Sequence, residues 1–262
     1  MTQAMSNTKL RDAWERDGFF VAERFASPDT CRAMLDRATA IAREAKGAGL
    51  AGRALVLPEA KGNPAARTPE ERVSKIFRLH RDEPVFAEFS RGQPLLDRIG
   101  AVLGEQLDCF LSQFIYKQPG AMGQPWHQDA WYFPFDRGPQ VGIWLAVTEA
   151  RVDNGPLHVL PGSHREPVHD TIPDPRPHAN YGYVEIVDHD MGGAVPVLMQ
   201  PGDLLVFHSH LMHMSTDNQS RDLRAAMVYH YAAGGTRDLS REQTGSDSPV
   251  NDWVTVRDRG GD

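Results

Sequence analysis

The sequence predicts a mainly β fold with flanking α-helices: an antiparallel jelly roll (double-stranded β-helix) preceded by a helical part. Three observations lead there. Helix-like segments with capping signals are confined to about the first 105 residues. From Leu107 onward, short strand-like runs follow one another across Pro/Gly/Asp turns, which suits a closed or double-sheet antiparallel architecture. A His-x-Asp pair at 127–129 is answered by a remote His-rich segment at 209–224, so distant strands must lie side by side, as the long connections of a jelly roll allow.

The elements follow in order. TKLRDAWERD (8–17) reads as a short helix stopped by Gly18, and GFFVAERF (18–25) as a strand. Ser27-Pro28-Asp29 is a helix start, with a capping hydroxyl, a proline in the first turn and an acid at the positive end; the helix runs to about Lys46. The Gly-, Ala- and Pro-rich stretch 47–69 reads as a mobile loop. VSKIFRLH (73–80) reads as a strand, and 82–104 as two short helices broken near Gly92 and Pro94. The jelly-roll strands are expected at 107–117, 140–150, 155–161, 203–210 and 224–232. Residues 165–196 lack a clear period, and a connection of that length reads as a functional lid or a disordered segment. One domain is expected over 1–262, its helical part at about 1–105 and its jelly-roll core at about 106–235.

Composition excludes several function classes. Hydrophobic content of 40% and charged content of 24% are ordinary globular values. A net charge of −7 (28 basic against 35 acidic side chains) argues against a nucleic-acid binder, and no basic run would draw the chain to a membrane. Cys31 and Cys109 are far apart with no CxxC, which fits a reducing compartment rather than a disulfide framework or a zinc ribbon. The opening MTQAMSNTKL lacks the basic and apolar regions of a secretory signal, and RDRGGD at the end is not a peroxisomal tripeptide. A cytoplasmic location is expected; oligomeric state is not legible.

The chemistry concentrates in PWHQDAWYFPF (125–135) and SHLMHMSTDNQSRDLR (209–224). Side chains two apart on an extended segment share a face, so His127 and Asp129 can reach one ion while Gln128 turns away. Two imidazoles and a carboxylate on one face of an octahedron form the Fe(II) facial triad, leaving positions for a chelating co-substrate and O2. His208, His210 and His213 compete for the third place. A 2-oxo acid bound through its keto-carboxylate end needs a cation for its far carboxylate, and the Arg fork matches that group best. His213 is followed by Ser215 and, eleven residues on, by Arg224, and is therefore the preferred ligand.

With these residues in hand, the chain resembles the phytanoyl-CoA dioxygenase family of Fe(II)/2-oxoglutarate oxygenases. The resemblance rests on HQDAWYFPF (127–135), NGPLHVLPGSH (154–164) and FHSHLMHMSTDNQSRDLR (207–224), and spans roughly 70–232. It implies a cupin-like jelly roll with His127, Asp129 and His213 as iron ligands, and Arg224 and Ser215 at the distal 2-oxoglutarate carboxylate. It further implies that Lys75, Gln113 and Trp144 line the co-substrate side. Met214 stands where the family has Gly, which would narrow the pocket floor. Trp131, Tyr132, Phe133 and Phe135 beside the ligands offer candidate substrate walls, whereas His164 reads as structural, His208 as a support for the ligands, and His230 as an ordinary core or surface residue. Halogenating relatives lack the ligand carboxylate, so Asp129 favours hydroxylation of a small molecule, with release of succinate and CO2. The rivals are a cupin-like zinc or manganese isomerase or hydrolase, and a non-catalytic jelly-roll binding module. Neither gives Arg224 a role.

Overall fold

The computed structural model describes residues 7–258; the terminal segments read above for targeting signals fall largely outside that range. Helix α1 (Asn7–Asp17) turns through Gly18 into strand β1 (Phe19–Ala22). Gly18 has φ +82, and a Cβ there would lie 2.5 Å from the His164 ring, so both conformation and space demand glycine. Helix α2 (Pro28–Glu44) begins as its sequence dictates, the Ser27 hydroxyl accepting the Thr30 N–H at 3.1 Å.

Residues 47–69 are not the loop expected. They contain a hairpin of β2 (Gly49–Ala51) and β3 (Ala54–Pro58) that pairs onward with β4 (Val73–Phe77). The Gly and Pro content obscures a short alternation: Ala54 and Val56 are buried in the core, while Leu55 and Leu57 face a cavity. Two helices follow, α3 (Pro84–Ser90) and α4 (Gln93–Leu103), then β5 (Leu107–Lys117), β6 (Val141–Ala146) and β7 (Leu157–Val159). The unperiodic stretch 165–196 holds a small ladder of β8 (Ile172–Pro173) with β9 (Val184–Glu185), then β10 (Val195–Val197). Strands β11 (Leu204–His208), β12 (His213–Ser215) and β13 (Arg224–Ala233) close the jelly roll; α5 (Ser240–Thr244) and β14 (Val254–Arg257), which sequence patterning did not reveal, follow.

The large sheet runs β1-β11-β6-β13-β5-β4-β3-β2, with β14 added to β5, and a smaller sheet runs β10-β7-β12. The first 105 residues are therefore not only helical, since β1 to β4 belong to the large sheet. One face of that sheet is covered by helices: Leu10, Trp14, Met34, Ile41 and Ile99 pack with Ile143, Leu145, Val206, Met227 and Tyr229. The other face meets the small sheet through Trp144, Leu205, Phe207 and Val228 against Leu157, Val159 and Val197. Each such aliphatic side chain contributes about 1.5–3 kcal/mol on full burial. A cavity is lined from both sheets, by Lys75, Gln113, Trp144 and Arg224 of the large one and by Leu157, His213 and Ser215 of the small one. Among the described residues no helix is long and apolar enough to cross a membrane.

Candidate active site

The segment 125–135 is extended only as far as Gln128 (φ −116, ψ 131); Asp129 then opens a 3-10 turn, Asp129–Tyr132. The turn still brings the carboxylate back to the His127 side. His127 and His213 exchange two backbone hydrogen bonds of 3.0 Å, which fixes the two remote segments in register. His127 Nε2 and His213 Nε2 then lie 3.6 and 3.8 Å from Asp129 Oδ1. All three residues are buried.

The imidazoles are set for coordination. His127 Nδ1–H donates to Pro125 O at 2.7 Å, and His213 Nδ1–H to Leu211 O at 2.9 Å. Each ring therefore presents its Nε2 lone pair toward the shared point, as metal-binding histidines do. Burial, with His213 beside it, pulls His127 down to about 3, so it stays neutral. Burial opposes charge on Asp129, but nearby His230 and His213 outweigh it and hold its carboxyl below the usual range. Separations of this size suit three ligands around one ion with bonds of about 2.0–2.2 Å.

His230 is the residue that sequence reasoning misplaced. Its Nε2–H donates to Asp129 Oδ2 at 2.8 Å, deep in the protein, and orients the carboxylate so that Oδ1 faces the histidines. The signal existed in strand parity: 224, 226, 228 and 230 share one face of β13, so His230 had to point where Arg224 points. His208, expected to support the ligands, instead packs on Trp14 at 5.3 Å and receives the His210 N–H on its Nδ1. His210 lies outside the cavity, its Nδ1 3.3 Å from Glu166 O. His164 packs against His208, away from the cavity.

The cavity beside the triad has a volume of about 340 Å³. Lys75, Gln113, Trp144, Ser215 and Arg224 all line it, as do Tyr132 and Phe133. Trp131 does not: its side chain is 44% exposed. Met214 is also absent from the walls, because strand alternation in β12 turns it away from His213 and Ser215, so the pocket floor is not narrowed. The segment 165–196 contributes Tyr181, Gly182 and Tyr183.

Arg224 is 1% exposed, and burial lowers it to about 10. Its Nε donates to Gly155 O at 3.1 Å and its plane sits 5.4 Å from the Trp144 ring, yet Nη1 is buried with no partner. Lys117, which sequence reasoning missed, is directly opposite Arg224 across the β5–β13 ladder, and burial pulls it well below the ordinary range. Like charges facing across a sheet are destabilising, and buried ones more so. Lys75 adds a third cation, brought by burial to about 8. Lys117 Nζ donates to Ser215 Oγ at 2.7 Å and the Gln124 backbone N–H donates to the same oxygen at 3.1 Å. Both Ser215 lone pairs are used, leaving its O–H free to donate.

A metal face with open positions opposite a buried anion anchor is what a keto acid needs to be held at both ends. That pairing, on this fold, defines the class: a non-haem iron oxygenase dependent on 2-oxoglutarate. Residues 14–226 match the family described as Phytanoyl-CoA dioxygenase (PhyH), and the chain belongs to that family. It is similar to phytanoyl-CoA dioxygenase 1 of Oryza sativa subsp. japonica, 33% identical over 159 residues; the match covers 58% of this chain and 54% of the relative, about half its length. The peroxisomal phytanoyl-CoA dioxygenase of Bos taurus is 29% identical over 94% of this chain and 74% of its own. Among solved structures, EctD from S. alaskensis with bound Fe superposes with a TM-score of 0.66 at 25% identity, covering 89% of this chain and 79% of that one.

Proposed function

We propose that His127, Asp129 and His213 hold Fe(II), and that the protein hydroxylates an unactivated C–H bond of a small molecule. The reaction is R–H + O2 + 2-oxoglutarate to R–OH + succinate + CO2. Iron bound at this face would supply the activation of O2 that couples the two oxidations. The chain's own groups do the rest. Arg224 Nη1 and the Ser215 O–H receive the distal carboxylate of 2-oxoglutarate, with Lys117 holding the serine. Lys75 and Gln113 border the same volume, and Trp144 walls the guanidinium from water, which strengthens each charged contact. His230 holds Asp129 Oδ2, so that Oδ1 is the oxygen that would face the ion. Tyr132, Phe133, Leu55 and Leu57 present an apolar wall that fits a hydrocarbon portion of the substrate and keeps water from the reacting carbon.

The observation that carries this reading is the unpartnered Nη1 of a fully buried Arg224 across the cavity from the triad. A zinc hydrolase or an empty binding module gives no reason to bury a guanidinium half-satisfied. The retained Asp129 supports hydroxylation over halogenation. The cytoplasmic location belongs to the same proposal, and cell fractionation checks it against the peroxisomal location named for the bovine relative. The deciding experiment is anaerobic titration of the Fe(II)-loaded protein with 2-oxoglutarate. A weak visible charge-transfer band should develop in the wild-type chain, and a metabolite screen should then find compounds that stimulate succinate release. Well-folded, iron-loaded protein that never develops the band refutes the assignment.

A further inference from the structure

A second group of two histidines and a carboxylate lies away from the cavity, where the 165–196 excursion leaves and rejoins the body. Glu166 Oε2 is 3.0 Å from His169 Nε2 and 3.0 Å from His189 Nε2, and one donor atom from each residue lies within 4.8 Å of the others. The two rings stand nearly perpendicular (89°) with centroids 5.1 Å apart, so both edges converge on the carboxylate instead of stacking. The group is half-buried: the His169 and His189 side chains are 19% and 20% exposed, and Glu166 is 40% exposed.

The ring orientations fit coordination as well as ion pairing. His189 Nδ1 lies 3.0 Å from Asp190 O, and a carbonyl only accepts, so Nδ1 carries the hydrogen. With Nδ1 committed to that carbonyl, Nε2 is the ring atom left to share one ion with Glu166 Oε2, 3.0 Å away. His127 and His213 show the same arrangement, each giving Nδ1–H to a backbone carbonyl and pointing Nε2 at Asp129. A single divalent ion would satisfy both Nε2 atoms and Oε2 together, with solvent completing the shell. Asp188 Oδ1, 4.0 Å from His169 Nδ1, adds negative charge at the edge.

From this geometry we infer that Glu166, His169 and His189 form a second metal site, for a divalent ion that favours mixed imidazole and carboxylate ligands, Zn2+ foremost. The site pins both ends of the segment that carries Tyr181 to Tyr183 into the cavity wall. It is also wired to the triad. The Gln128 amide, between His127 and Asp129, donates to Pro167 O at 3.0 Å and His210 O at 2.9 Å, and its oxygen accepts the His169 N–H at 2.8 Å. Metal at the outer site stiffens the pocket wall without touching substrate.

The test is zinc binding by calorimetry and elemental analysis, with folding checked by circular dichroism. The wild-type chain should take two Zn2+ and a His127→Ala/His213→Ala chain one. Adding His189→Ala or His169→Ala to the latter should abolish the remaining uptake, and Glu166→Gln should weaken it by about tenfold or more, since even outer partners of metal ligands cost 10–100-fold. Should the multiple variants fail to fold, hydrogen exchange on the wild-type chain decides: Zn2+ should slow amides in 170–188, and His189→Gln should remove that protection. A triad-disabled chain that folds but binds no zinc, or one whose zinc survives His169→Ala and His189→Ala, overturns the proposal. So does exchange unaffected by zinc. Neither result bears on 2-oxoglutarate binding at the inner site.

Discussion

The two faces of the large sheet are built on the same strands and end in opposite states. On β13, Ala225, Met227, Tyr229 and Tyr231 point to the helices, while Arg224, Ala226, Val228 and His230 point to the cavity side. The helix face is apolar, and its polar atoms are matched: Tyr229 donates to Phe86 O at 3.1 Å and Tyr231 to Ser90 O at 2.9 Å. On the cavity face, Arg224 Nη1, Trp144 Nε1 and His230 Nδ1 are buried and unmatched. A buried polar group left unpaired costs about 1–3 kcal/mol. Residue parity thus separates a surface selected for stability from one that stays unsatisfied until a ligand arrives, the trade-off expected of a preorganised site.

Breaking the cavity face at the triad should have the largest effect. His127→Ala, Asp129→Ala and His213→Ala should each abolish Fe(II)-dependent turnover, whereas His210→Ala keeps most of the iron affinity; iron titration and succinate release check this. A chain that needs His210 and tolerates loss of His213 would reverse the ligand choice. The helix face should respond in the other currency: Ile143→Ala should cost about 2–5 kcal/mol of folding stability. Chemical denaturation measures that loss, and the folded fraction should still bind 2-oxoglutarate normally.

Arg224 sharpens the contrast. Arg224→Ala should weaken 2-oxoglutarate by about 10- to 100-fold, from a charge-assisted contact of roughly 1.5–3 kcal/mol, with iron affinity little changed. Arg224→Lys should recover part of this, because a point charge cannot make the two-pronged contact. Arg224→Met should lose the same binding without lowering the melting temperature of the ligand-free protein, since it removes a buried, half-satisfied charge. A large drop in melting temperature would mean that the guanidinium is there for the fold.

The smallest expected effect is a pH dependence. Burial brings Lys75 down to about 8, and its ammonium form is the one that attracts a carboxylate. Binding an anion raises that value, so 2-oxoglutarate affinity should be full below about pH 8 and fall as pH rises beyond it. In the ligand-free protein the depressed value has the opposite sense: the penalty of a buried ammonium is full below about 8 and relieved as pH rises toward the unfolded value of 10.5. Lys75→Met should flatten both trends, read by calorimetry across pH 7–9 and by denaturation.

The sequence by itself determined what local chemistry and short periods encode. The helix start at Ser27, the strand at Leu107–Lys117, the closeness of His127 to Asp129 and the shared cavity wall of Ser215 and Arg224 depend on spacing along one segment, and spacing is written in the chain. The hairpin at 49–58 escaped notice because Gly and Pro outweigh a five-residue alternation, and β14 because its partner, β5, lies about 145 residues earlier. Spacing already favoured His213 over His208 and His210, but only the tertiary structure set His230 against Asp129 and His208 against Trp14, because those contacts join segments far apart in the chain. The same holds for the cost of Lys117 facing Arg224. A charge is costly only after water is removed from it, and that removal is a property of the packed sheets, not of any segment read alone.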